Sequence, residues 1–162
     1  MKMNRMFKSV LATGIILSVS LAGVARPKRT TADAEFRALI EAYYTAWSTI
    51  NPDNPAKFYA KDADLIFYDI APMKYNSWAE YKAGVIKAFF DNITSGKLTP
   101  NLDDLKVTRR GNVAWTTLTF HLSGTLKAGG SMELDARHTA IWEKRGGRWL
   151  IVHEHISVPL QG

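Results

Sequence analysis

Residues Arg137 to Pro159, RHTAIWEKRGGRWLIVHEHISVP, read as two strands of alternating polarity joined at Gly146-Gly147. A hairpin of this kind commits the chain to an antiparallel sheet. Its second strand sets His153 and His155 two residues apart, which puts both rings on one face about 7 Å from each other, together with Trp149 and Ile151. Turn signals at Arg110-Gly111-Asn112 and Ala128-Gly129-Gly130 divide the chain from Leu98 onward into four strands in all, an antiparallel meander.

The segments before the meander carry a different period. Phe36, Leu39, Ile40, Tyr43 and Trp47 recur at helical spacing, with Asp33 and Glu35 where the positive end of a helix dipole favours acids. This predicts an amphipathic helix from about Asp33 to Ser48. Asn54-Pro55 reads as an N-cap followed by proline at the first helical position, opening a short helix through Tyr59. Asp62 to Asp69, DADLIFYD, has the composition of a strand that Ala71-Pro72 ends. Ser77 and Glu80 form an S-x-x-E capping box, and Trp78, Tyr81, Val85, Ile86, Phe89, Phe90 and Ile93 continue a third helix to about Asn92, with Gly96 just past its end. Helices first and strands after imply an α+β domain, not alternating βαβ units.

The first 25 residues stand apart. Lys2, Arg5 and Lys8 precede an apolar run from Val10 to Leu21, and Gly23-Val24-Ala25 supplies the small residues that a signal peptidase reads. The expectation is a signal peptide over 1–25 cleaved after Ala25, a linker over 26–32 and one domain over 33–162. The mature protein is then periplasmic or secreted, with no stable membrane association. Removing the leader leaves 18 Lys plus Arg against 15 Asp plus Glu. The mature chain is therefore only mildly basic, and it lacks the clustered cations with interleaved aromatics of a nucleic-acid footprint. With no cysteine, the fold relies on its core and has no thiol for catalysis. No nucleophile elbow, phosphate loop or dinucleotide fingerprint occurs, so no cofactor is implied.

Helices packed on one face of such a meander leave an open end, a natural small-molecule cavity. Candidates for its chemistry are few. Asp69 ends a predicted strand beside Tyr68, with Tyr75 in the following loop; among apolar neighbours its carboxyl is a general base, and capping the Ala71-Pro72 turn through backbone N–H groups is the structural alternative. The four histidines, His121, His138, His153 and His155, all fall on the last three strands, so convergence is open to them. Two strand histidines plus a third would make a workable zinc set only with a carboxylate or carbonyl behind each ring, and no metal is expected here. Arg137 and His138 are adjacent and face opposite ways, so one of them enters the cavity. Glu133, Asp135, Glu143 and Glu154 alternate with apolar residues and are expected on a solvated sheet face or a dimer rim. The candidate catalytic residues are thus Asp69 and His155. The candidate ligand contacts are Tyr43, Trp47, Tyr68, Tyr75, Trp115, His121, Arg137, His138 and His153.

The order of elements, the segment FYAKDADLIFYDIAPMKYNSWAEY and the closing RHTAIWEKRGGRWLIVHEHISVP resemble the SnoaL-like branch of the NTF2-like, or ketosteroid-isomerase-like, superfamily over about Asp33 to Pro159. The closing strand is also similar to the association domain of calcium/calmodulin-dependent kinase II, through its W-x-x-VH-x-H segment. The resemblance implies a cone-shaped barrel in which three N-terminal helices pack on a curved, mostly antiparallel sheet, often as a homodimer. It also implies a pocket between helices and sheet. That fold hosts isomerases, hydrolases, dehydratases and non-catalytic modules. Three functions follow: an exported acid–base enzyme acting on an apolar molecule, a ligand-binding protein without a pKa-shifted group, or an oligomeric association module.

Overall fold

The computed structural model describes residues 31–70 and 72–160. The leader expected over 1–25, most of the linker and Ala71 lie outside the described residues. The chain opens with helix α1, Thr31–Trp47, whose apolar stripe of Phe36, Ile40, Tyr43, Tyr44 and Trp47 is buried. Pro55–Phe58 then forms one 3-10 turn, followed by the two-residue strand β1, Phe67–Tyr68. Helix α2, Trp78–Ala88, and a second 3-10 turn, Phe90–Asn92, lead into β2, Ile93–Pro100. Strands β3, Lys106–Arg110, β4, Val113–Leu126, β5, Ser131–Arg145, and β6, Arg148–Ser157, complete the fold.

The strands make one six-stranded sheet in the order β1-β6-β5-β4-β2, with β3 also pairing with β4. Long β4 carries β3 along its first half and β2 along its second, so two short strands share one edge. Every pairing is antiparallel except β1 with β6, which makes the sheet mixed. It is open at β1 and at β2, so it does not close into a barrel.

Several expected details differ. Among the described residues there are two α-helices, not three helices ahead of the sheet, and the second follows β1. Asn54 has helical backbone angles and no capping bond; its amide donates to Thr49 Oγ1 instead, and the segment closes after one 3-10 turn. Ile93 and Gly96 belong to β2, not to the end of a helix. The capping box is half present: Ser77 Oγ accepts from the Glu80 N–H at 3.2 Å, while the Glu80 carboxylate turns to the Asn76 N–H and side-chain amide.

The inner face of the sheet, against the helices, is built by Ala114, Leu118, Phe120 and Leu122 of β4, Ala136, His138, Ala140 and Trp142 of β5, and Trp149 and Ile151 of β6. Strand β6 changes parity midway. Trp142 pairs with Ile151 but its neighbour Ile141 pairs with His153, so Val152 is an extra residue in a β-bulge. Beyond it the face that pointed outward points inward. Glu154, expected on a solvated face, therefore lies opposite Ala140 in the core with 0% exposure.

Candidate functional site

The bulge places a carboxylate in a core made largely of rings. Such a group survives burial only if its lone pairs are filled. Four donors do so. Tyr43 Oη donates to Glu154 Oε2 at 2.7 Å and Tyr81 Oη to Oε1 at 2.7 Å. Tyr59 Oη lies 3.0 Å from Oε2 and 3.1 Å from Oε1, and 2.9 Å from Tyr43 Oη. His138 Nε2 completes the set at 3.2 Å from Oε2. The other nitrogen of His138, Nδ1, is 2.8 Å from Tyr44 Oη. An ionised Glu154 makes Nε2 the donor in its bond to the carboxylate.

Burial opposes charge on Glu154, but the bonds from His138, Tyr43 and Tyr81 outweigh it and hold its carboxyl below the ordinary glutamate value. The phenols move the opposite way. Burial first, and the Glu154 charge second, raise Tyr43, Tyr44, Tyr59 and Tyr81 well above the usual tyrosine value. At neutral pH the knot is one anion ringed by O–H and N–H donors.

Beside this knot lies a cavity of about 250 Å³. Tyr43, Tyr44 and Trp47 of α1 and Tyr81, Val85 and Phe89 around α2 form one wall; Leu98, Phe120, Leu122, Leu134 and Ile156 of the sheet form the other, and Asp69 and Ile70 also contribute. The lining is overwhelmingly hydrocarbon and ring. Asp69 is its one carboxylate, partly buried, and Oδ1 accepts the Ile70 N–H at 2.7 Å. Desolvation pushes the Asp69 carboxyl up to about 6; the Ile70 bond and His138 pull it down, and the Glu154 charge adds to the rise. Asp69 thus bonds the backbone amide of its neighbour Ile70 and also lines the cavity.

The other candidates fall into three places. Tyr43 and Trp47 line the cavity with Asp69. His138 is buried behind the wall in the Glu154 knot, and Tyr75 is buried with its ring packed over Gly84. The remainder lie on the outer face of the sheet. Tyr68 packs edge-on to His153 and His155, with ring centroids 5.4 and 5.7 Å away, and His153 Nδ1 donates to the Ile66 carbonyl at 2.8 Å. His121 sits between Asp135 and Glu133 at 2.9 and 2.7 Å, and those bonds raise its pKa. Trp115 and Arg137 share that outer face. His153 and His155 do share a face, as their spacing requires, but the bulge separates them from Trp149 and Ile151. Among the described residues no group of three or more His, Asp or Glu is arranged to hold a metal ion.

Sequence reasoning missed Glu154 and Tyr44. In WLIV, Trp149 to Val152, four apolar residues run together, so alternation carries no parity signal where the bulge lies. Tyr44 follows Tyr43 on α1, and its hydroxyl partner on β5 is 94 residues away.

Comparison with known proteins agrees with this architecture. A model of the SnoaL-like domain matches residues 36–161. An NTF2-like superfamily protein from Salmonella enterica serovar Typhimurium superposes with a TM-score of 0.69 at 17% identity, covering 81% of this chain and 93% of its own. A Xanthomonas campestris protein provisionally named a calcium/calmodulin-dependent protein kinase II association domain superposes at 0.69 with 25% identity, covering 85% and 94%. A Shewanella frigidimarina protein provisionally named a ketosteroid isomerase gives 0.59 with 24% identity, covering 74% and 92%. No curated protein sequence matches the chain.

Proposed function

The chain belongs to the SnoaL-like domain family, and from that premise we propose that it binds a compact, largely apolar small molecule in the cavity and moves a proton on it with Asp69. The observation that carries this is a single carboxylate set in an apolar wall, with its pKa raised by burial to about 6. A base works best when its pKa lies near the operating pH, because it is then both ionised and able to take a proton. Asp69 meets that condition at neutral pH, whereas a solvated aspartate is a much weaker base.

The reaction class is acid–base chemistry of isomerase, hydrolase or dehydratase type. Size bounds the substrate: an engineered apolar cavity of about 150 Å³ takes benzene, so this one suits a molecule of one or two small rings. The test is a carbon-detected NMR titration of the Asp69 carboxyl, paired with turnover of a panel of small enolisable and hydroxylated ring compounds by wild type and Asp69→Asn. A midpoint near 6 and turnover lost only in the variant are expected. A midpoint near the ordinary aspartate value, with identical behaviour of both proteins, would remove the enzyme assignment.

A second role, self-association, is favoured by the outer sheet face, where Val113, Trp115 and Tyr68 are exposed large side chains, and by the relative named for an association domain. Sedimentation equilibrium decides it: a dimer that Trp115→Glu dissociates is expected, and a monomer at all concentrations counts against it. Export is likewise proposed on the basic and apolar leader, with Arg26 expected as the first residue of the mature protein on N-terminal sequencing.

A further inference from the structure

Trp47 sits in the cavity wall near the end of α1, 6% exposed, its ring packed among Tyr43, Tyr59, Tyr81 and Phe90. Its indole N–H is the one buried side-chain polar atom among the described residues that meets no hydrogen-bond partner. Two other buried indoles of this fold are matched: Trp142 Nε1 donates to Thr116 Oγ1 and Trp149 Nε1 to Glu35 Oε1, each at 3.0 Å. Natural cores rarely leave such a donor unfilled, and an orphan asks for an acceptor from elsewhere.

The neighbours do not supply one. The hydroxyls of Tyr43, Tyr59 and Tyr81 are gathered on Glu154, and Asp69 Oδ1 holds the Ile70 N–H. A water molecule is retained in a cavity when it has two to four polar partners, and past the tyrosines the wall is Val85, Leu98, Phe120, Leu122 and similar side chains. No Lys or Arg lines the cavity, so an anionic acceptor would lie there without a counter-charge.

We propose that Trp47 orients the ligand: the molecule that fills the cavity carries a neutral acceptor oxygen, of ketone, ester or ether type, that takes the Trp47 indole N–H while the rest of it is ring or alkyl. This rests on the cavity being a small-molecule site and narrows what it takes. Aromatic and alicyclic ketones of one or two rings fit the volume and the single donor. Carboxylic acids and unfunctionalised hydrocarbons do not use the site fully.

The test compares 1-indanone with indane, two probes of nearly equal shape that differ by the carbonyl oxygen. Nitrogen–proton NMR of the wild-type protein, with the Trp47 indole assigned through bonds, is expected to show that signal moving downfield with 1-indanone and scarcely at all with indane. Trp47→Phe keeps an aromatic ring and removes the donor. It is expected to weaken 1-indanone binding roughly five- to tenfold more than it weakens indane binding. An unmoved indole signal on saturation with 1-indanone overturns the proposal, as does an equal effect of the variant on both probes; the cavity site then stands, because the hydrocarbon still binds. If neither probe perturbs the methyl signals of Val85 and Leu122, the small-molecule site falls and this inference with it.

Discussion

Asp69 and Glu154 are two carboxyl groups whose surroundings push them in opposite directions. Asp69 has a folded pKa of about 6 against 3.8, so the fold prefers it protonated. Its favourable contribution is complete below the unfolded value and is lost as pH rises through the folded one. Above pH 6 the ionised group is a net cost, on the order of 2 kcal/mol once solvent at the mouth is allowed for. Asp69→Asn is therefore expected to raise stability by about 1–2 kcal/mol at pH 7.5, with the gain vanishing below about pH 4; urea unfolding at the two pH values checks both. For Glu154 the sign reverses. Its depressed value makes the charged form the stabilising one, present above the unfolded pKa and lost as pH falls through the folded value. Removing the acceptor strands four buried donors, so Glu154→Ala should cost about 3–5 kcal/mol at neutral pH, measured as a shift in the urea midpoint. Glu154→Gln should cost less and converge on wild type in acid.

At the level of elements, the decisive one is the bulge in β6. Val152 is the extra residue that turns Glu154 inward and His153 and His155 outward. Deleting Val152 restores an unbroken alternation and keeps those faces, because Ile151 and His153 then follow one another opposite Trp142 and Ile141. Such a chain is expected to keep its native near-ultraviolet dichroism and amide dispersion, as is Val152→Ala at a cost of about 1 kcal/mol; loss of both signals on deletion would show that the bulge itself, and not only the parity it sets, is required. Helix α2 offers a second check, because a Cβ at Gly84 would collide with the Tyr75 ring. Gly84→Ala should displace that ring and cost about 1–3 kcal/mol, visible as a changed Tyr75 ring signal by NMR. Several elements were legible in the sequence. The hairpin at Gly146-Gly147, the turns at Gly111 and Gly130, and α1 all follow from periodicity and turn chemistry. The bulge was not, because Trp149 to Val152 is apolar at both parities; the length of β1 was not either, because DADLIFYD has strand composition while only Phe67 and Tyr68 find a partner.

For the whole molecule, the sequence made a one-sided α+β cup legible, and the cavity between helices and sheet is where that packing leaves space. It did not make legible which polar groups border the hollow. Asp69, Tyr43 and Trp47 were foreseeable from their neighbours in the chain, while the bonds of Tyr43 to Glu154 and of Tyr44 to His138 join residues 111 and 94 positions apart and exist only once β5 and β6 are in register. A bulky residue in the hollow tests its role directly. Leu122→Trp should weaken 1-indanone binding at least tenfold, measured by NMR titration, while changing stability by no more than about 1–2 kcal/mol, since the added volume goes into open space.

Consider finally what it means that three phenols and an imidazole surround one anion. Such a centre behaves as an all-or-nothing latch: α1, the segment after the first 3-10 turn, α2 and the last two strands each lend it one group, so none of them can drift without loosening the rest. Anyone redesigning this scaffold for a new guest would do well to leave the latch whole and carve the opposite wall, or else replace every member together with hydrocarbon of matching bulk.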